Sequence, residues 1–191
     1  MSTITDQDYT DFVRKLFNRQ DDVSKDYAHA VLGVVTEIHE YLNAVDDVNA
    51  LEELGDLEFF VEAFAQVVAD ITGERPDLSE DDLLAAAIEW APLDMDLRPA
   101  IQQTLHNLTN TVKRWVGYGK QPADLPELWK TAAFVAFAAN QIGSHPTTDR
   151  QQVRAANVRK LLKRYPDGEF SQMRALVRDV EAEREAIQGN T

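Results

Sequence analysis

Two stretches decide how this chain is read: Val31-Leu-Gly33-Val-Val-Thr-Glu37-Ile-His-Glu40-Tyr-Leu42, and Leu51-Glu52-Glu53-Leu-Gly55-Asp56-Leu-Glu58-Phe-Phe60. In the first, Val31, Val34, Val35, Ile38 and Leu42 share one stripe at helical spacing, and Val45 extends it. In the second, the stripe is Leu51, Leu54, Leu57 and Val61, continued by Phe64, Ala65 and Val68. Neither stretch alternates as a strand does. Two striped helices with a short polar connection cannot bury both stripes on each other alone. They need partner helices, which predicts an all-α bundle with a four-helix core.

The same stretches carry the chemistry. Glu37-x-x-Glu40 and Glu53-x-x-Asp56 both use i, i+3 spacing, so each pair presents its carboxylates on one side of a helix. Glu37 and Glu40 lie off the apolar stripe, beside Ala30, Gly33 and Ala44, where small residues leave room for a ligand or another helix. Glu53 and Asp56 lie on the stripe's edge, alongside Phe60, Ala63 and Val67. A solvated acidic face, the ordinary reading of such pairs, would not run on into Phe and Val. Four carboxylates brought together repel one another unless cations sit between them, and hard divalent cations take oxygen ligands. The pattern therefore predicts a Mg²⁺ site shared by two helices, with Mn²⁺ able to substitute. Glu52 points elsewhere on the wheel and is expected to be a surface charge.

The residues Gly33–Glu40 and Leu51–Phe60 resemble the MazG-like branch of the all-α nucleotide pyrophosphohydrolases. That family carries an ExxE pair, a spacer and an ExxD pair, often within an EELGD string. Here the string is Glu52-Glu53-Leu54-Gly55-Asp56, and the spacer runs from Tyr41 to Glu52. The run Asn157-Val-Arg-Lys160-Leu-Leu-Lys-Arg164-Tyr165-Pro166-Asp-Gly168 is similar to the NxxKLxxRYPxG segment that follows the acidic helices in these enzymes. Tyr118-Gly119-Lys120 echoes the family's YGK, but outside the acidic hairpin where the family usually has it. The likeness is good over about residues 27–70 and 150–171 and poor between them.

The resemblance implies hydrolysis of a nucleoside triphosphate to the monophosphate and pyrophosphate. It implies that Glu37, Glu40, Glu53 and Asp56 hold Mg²⁺ and activate the attacking water. The sequence does not choose between Glu37 and Glu40 as the group that takes the water's proton. Asn157 and Lys160 are implied to contact the nucleotide phosphates or sugar. Arg164 and Tyr165 match the same motif and either join them or dock the helix end. Family members generally associate, so a homodimer is expected. Three other readings stay open: a dimeric-type dUTPase, a phosphoribosyl-ATP pyrophosphohydrolase-like enzyme, and a non-catalytic helical nucleotide-binding protein. A ferritin-like diiron site needs Glu-x-x-His pairs, and none occurs.

Composition agrees. The 191 residues suit one domain, 1–191, with a divergent middle at about 72–148, and 44% hydrophobic content supplies a core. No apolar run is long enough to cross a membrane, and the acidic opening MSTITDQDYTDF is not expected to act as a signal peptide. The chain has no cysteine, which removes disulfides and thiolate metal sites and is compatible with the expected cytoplasmic location. A net charge of −14 opposes binding to a nucleic acid polymer. It does not oppose a nucleotide whose triphosphate is screened by Mg²⁺.

Periodicity and capping predict helices at about 6–18, 24–45, 48–70, 79–90, 98–116, 125–142, 149–164 and 170–187. The breaks fall at Thr72–Pro76, Ala91-Pro92, Gly117–Pro122, Gly143–Pro146 and Pro166–Gly168. Residues 51–66 can be laid on 125–140, matching Glu53 to Glu127 and Asp56 to Lys130, with Asn107-x-x-Asn110 where Glu37-x-x-Glu40 would fall. This is either a duplicated hairpin whose second copy lost its carboxylates, or two similar amphipathic helices aligned by chance. Arg150, Arg154, Arg159 and Lys163 read as a solvated basic face, and Glu58 as a fifth acid near the site or a partner for a basic residue. His29, His39, His106 and His145 show no zinc spacing. Trp90, Trp115 and Trp129 are expected in the core.

Overall fold

The computed structural model describes residues 4–77, 97–142 and 149–189, and among them it contains eight helices and no strand. They are α1 (Asp6–Leu16), α2 (Val23–Leu42), α3 (Asp47–Thr72), α4 (Arg98–Tyr118), α5 (Leu125–Ile142), α6 (Arg150–Arg164), α7 (Gln172–Leu176) and α8 (Val180–Gln188). The expected helix at 79–90, with Ser79 as its cap, lies outside the described residues, as do Trp90 and His145.

The starts of these helices follow from side-chain caps. Thr5 and Asp8 form a capping box on α1, and Asp22, Asp46 and Asp149 accept backbone N–H groups at the starts of α2, α3 and α6. Three ends use glycine in the left-handed region, Gly73 after α3 (φ 82°), Gly119 after α4 (φ 65°) and Gly189 after α8 (φ 73°).

Helices α2 and α3 form one hairpin and α4 and α5 a second, and the two hairpins pack together as the four-helix core. Val31, Val34 and Ile38 of α2 meet Leu57, Val61, Phe64 and Val68 of α3 in that core. The second hairpin contributes Ile101, Leu105, Leu108, Trp115, Trp129 and Val135. Trp129 Nε1 donates to the Val61 carbonyl at 3.0 Å, so the ring's one polar group is satisfied inside the core. The middle of the chain thus supplies two of the bundle's four helices. Outside the core, α1 packs on α3 and α6, and α6 lies against both α3 and α8.

Two expectations need correction. The helix expected over 170–187 is two short helices, broken at Val177–Asp179. Asp179 accepts from the Ala182 N–H at 3.1 Å and starts a new helix, a local hydrogen bond that competes with continuing the old one. Val45 does not extend the stripe of α2. The helix stops at Leu42, the Asn43 N–H returns to the Glu40 carbonyl, and Val45 is exposed.

Candidate metal and phosphate site

The space that Gly33 leaves beside Glu37 is filled by a helix. A Cβ at Gly33 would stand 2.2 Å from Phe60 Cδ1, so the missing side chain lets the Phe60 ring of α3 lie directly on α2. That contact brings Glu37 and Glu40 to face Glu53. Carboxylate oxygens of Glu37, Glu40 and Glu53 lie within 4.8 Å of one another. Glu40 is exposed, and Glu37 and Glu53 are half-buried. Asn49, one turn before Glu53, donates its amide to Glu53 Oε1 at 2.6 Å.

Crowding and burial change the acidity of these groups. Burial first, then the charges of Asp56, Glu40 and Glu53, push the Glu37 carboxyl up to about 8, with Lys160 opposing. Burial, followed by the charges of Asp56, Glu52 and Glu40, pushes Glu53 up to about 7.

Asp56 stands beside this trio but turns toward α6. Its Oδ1 accepts from Asn157 Nδ2 at 2.9 Å, and its Oδ2 is paired with Lys160 Nζ. The Lys160 side chain is 1% exposed, so its ammonium is a fixed internal cation. Gly55 makes this possible. A Cβ there would sit 2.9 Å from Asn157 Cβ, so the glycine in the EELGD string is where α6 closes onto α3.

The sequence-predicted residues therefore fall into two adjoining sets. Glu37, Glu40 and Glu53 form one; Asp56, Asn157 and Lys160 form the other. Arg164 and Tyr165 are engaged within the protein. Arg164 makes a two-pronged pair with Glu183 of α8, at 2.8 and 2.7 Å. Tyr165 is buried with Leu16 and Leu161.

Glu52 is not a surface charge. Its side chain is 10% exposed and pairs with Lys160 at 3.4 Å and with Arg178 at 3.2 Å. A wheel drawn on α3 alone leaves Glu52 facing outward, but α6 and the segment after α7 cover that side. Nor is the basic helix a solvated face throughout. Arg154 is buried between Glu58 and Asp6, Arg150 pairs with Glu58 at 2.8 Å, and Arg159 donates to the carbonyls of Ala186 and Ile187. Only Lys163 of the four is exposed in the expected way. Glu58 is thus a partner for arginines and not a fifth ligand.

Two contributors lie outside the reading from sequence. Asn49 could have been found, since it stands four residues before Glu53 on one helix face. Tyr9, whose hydroxyl lies 3.1 Å from Asn157 Oδ1, comes from a helix 148 positions away and leaves no local signal.

The donor set suits a hard divalent cation. It is all oxygen, it is anionic, and ligand atoms around Mg²⁺ at about 2.0–2.1 Å stand roughly 3–4 Å apart. The three carboxylates, with oxygens within 4.8 Å of one another, are close to that spacing. In the second hairpin the aligned positions Asn107, Asn110, Glu127 and Lys130 are exposed and offer no comparable acidic set. Comparison with known protein families, with curated proteins and with solved structures finds no match to this chain.

Among the described residues, no helix is long and apolar enough to cross a membrane.

Proposed function

We propose that this protein is a Mg²⁺-dependent nucleoside triphosphate pyrophosphohydrolase, releasing a monophosphate and pyrophosphate. The observation that carries the reading is the convergence of Glu37, Glu40 and Glu53, with Asp56 held beside them by a buried lysine and asparagine. The resemblance of the ExxE, EELGD and NxxKLxxRYP segments to the MazG-like family supports it. So does the upward shift of Glu37 and Glu53, which comes first from burial and then from the neighbouring carboxylates.

In this reading Glu37, Glu40, Glu53 and Asp56 would hold the cation. Bound Mg²⁺ would supply Lewis acidity toward the phosphate oxygens and toward water. Glu37 or Glu40 accepts the proton of the water that attacks the α-phosphate. Lys160 would help offset the charge that develops on the leaving pyrophosphate. Asn157 orients the phosphate or sugar. The protein is proposed to be cytoplasmic and homodimeric. The hairpin α4–α5 already covers the acidic hairpin within one chain, so the site would be complete in each subunit.

The test is a panel of ribo- and deoxyribonucleoside triphosphates with Mg²⁺, assayed for monophosphate and pyrophosphate together. Release of orthophosphate and a diphosphate would overturn the cleavage chemistry. Selective turnover of dUTP or of phosphoribosyl-ATP would move the protein to those related activities.

A further inference from the structure

Asp56 is held by residues from outside the four-helix core. We propose that Tyr9 is a positioning residue, which fixes the Asn157 amide so that its NH₂ faces Asp56 and sets the direction of that carboxylate beside the glutamate trio. The proposal rests on reading the acidic cluster as a metal site.

The direction of each hydrogen bond follows from chemistry. An ionised Asp56 carboxylate only accepts, so the group 2.9 Å from its Oδ1 must be the Asn157 NH₂. Asn157 Oδ1 then faces Tyr9, and the phenol must donate across the 3.1 Å to it. Tyr9 is fully buried, and burial raises its hydroxyl well above the ordinary value of 10, so it keeps its proton at any working pH. Its ring is also fixed. The Arg154 guanidinium lies 4.7 Å over the ring centroid and is itself tied to Glu58 and Asp6. The Asn157 Cβ is wedged against Gly55, so the side chain has little freedom except to turn its amide over. Turned over, Oδ1 would oppose Asp56. The Tyr9 hydroxyl could accept from the NH₂ but its own proton, buried with the ring, would lose the Oδ1 acceptor, so the flip is opposed at both ends. Partners that orient a ligand typically change metal affinity by about ten- to a hundredfold.

The experiment uses Tyr9→Phe, which keeps the ring and the Arg154 contact and removes only the hydroxyl. Mn²⁺ binding is measured by electron paramagnetic resonance for wild type, Tyr9→Phe, Asn157→Ala and the double variant. The Asn157 side-chain amide is followed in the metal-free protein by ¹⁵N NMR. We expect Tyr9→Phe to weaken Mn²⁺ about tenfold, the double variant to match Asn157→Ala, and the Asn157 NH₂ signals to shift and exchange faster. Unchanged Mn²⁺ affinity in Tyr9→Phe, or additive losses in the double variant, would overturn the relay. If wild type binds no Mn²⁺, the metal reading falls by itself. The NH₂ signals then decide the relay: unperturbed signals in Tyr9→Phe sink it, and faster exchange sustains it.

Discussion

Lys160 Nζ pairs with Asp56 Oδ2 at the foot of the acidic cluster, in a lysine that is almost wholly buried. Glu52 shares the same ammonium. One cation thus offsets two carboxylates, and the trio of Glu37, Glu40 and Glu53 is left to itself. Replacing Lys160 by Ala strands Asp56 next to that trio. Breaking a fully buried pair costs about 3–5 kcal/mol. The Asp56 side chain is 24% exposed, so the loss should be at or below that range. Urea unfolding of Lys160→Ala at pH 7.5 should show a lower midpoint, partly restored by millimolar Mg²⁺. An unchanged midpoint would remove Lys160 from this role.

The pH dependence has a definite sign. Glu37 and Glu53 titrate at about 8 and about 7 in the folded protein, against an ordinary value of 4.5. Between those limits the folded state binds more protons than the unfolded state, so stability falls as pH rises from 4.5 to about 8. Below 4.5 both states are protonated and the loss disappears. Metal-free melting should therefore be lower at pH 8.5 than at pH 5.5, and Glu37→Gln should flatten that difference. Mg²⁺ competes with these protons, so its stabilising effect should be larger at pH 8.5.

Glu53→Gln and Asp56→Asn should abolish turnover and leave the circular dichroism spectrum unchanged. Glu37→Gln should raise the metal-free melting temperature at pH 8 because it removes one of the mutually repelling charges. It should also shrink the shift caused by Mg²⁺. Full activity of any of these in excess Mg²⁺ would remove that residue from the cation's shell.

Two glycines separate packing from helix propensity. Gly55→Ala forces a Cβ to within 2.9 Å of Asn157 Cβ, pushing α6 off α3, and should cost about 1–3 kcal/mol. Gly117, also helical, has nothing within 4 Å of its would-be Cβ. There Ala should be neutral or stabilising by up to about 1 kcal/mol. Chemical denaturation of the two variants side by side checks the contrast.

Arg164→Ala leaves Glu183, which is 2% exposed, without its two-pronged partner. Arg178 still reaches Glu183 at 2.8 Å, so release of α8 should be partial. Limited proteolysis should cut faster at Val177–Asp179, with the four-helix core resistant. Equal cutting rates would show that Arg178 alone holds α8.

The helices and the two acidic pairs were legible because both are local. Stripes at 3.6-residue period place Val31, Val34, Leu57 and Val61 in the core, and i, i+3 spacing puts Glu37 with Glu40. The role of Gly33 was half legible: a small residue announces a close approach, and here Phe60 makes it. Glu52, Arg154 and Tyr9 were not legible. Each owes its place to α1, α6 or the segment after α7 folding back onto α3, and no periodicity within one helix records that. The break at Asp179 was missed because an aspartate reads equally as a surface residue or as a cap.

The pairing of Lys160 with Asp56 spans 104 positions. At about 5–20 residues per second, a ribosome finishes the acidic hairpin on the order of 5–20 seconds before it makes the lysine. During that interval Asp56 lacks the ammonium it is paired with in the finished protein. Water and mobile ions must screen Asp56 until then, so the contribution of that one carboxylate should respond more to ionic strength in the nascent hairpin than in the finished protein, where it is already paired.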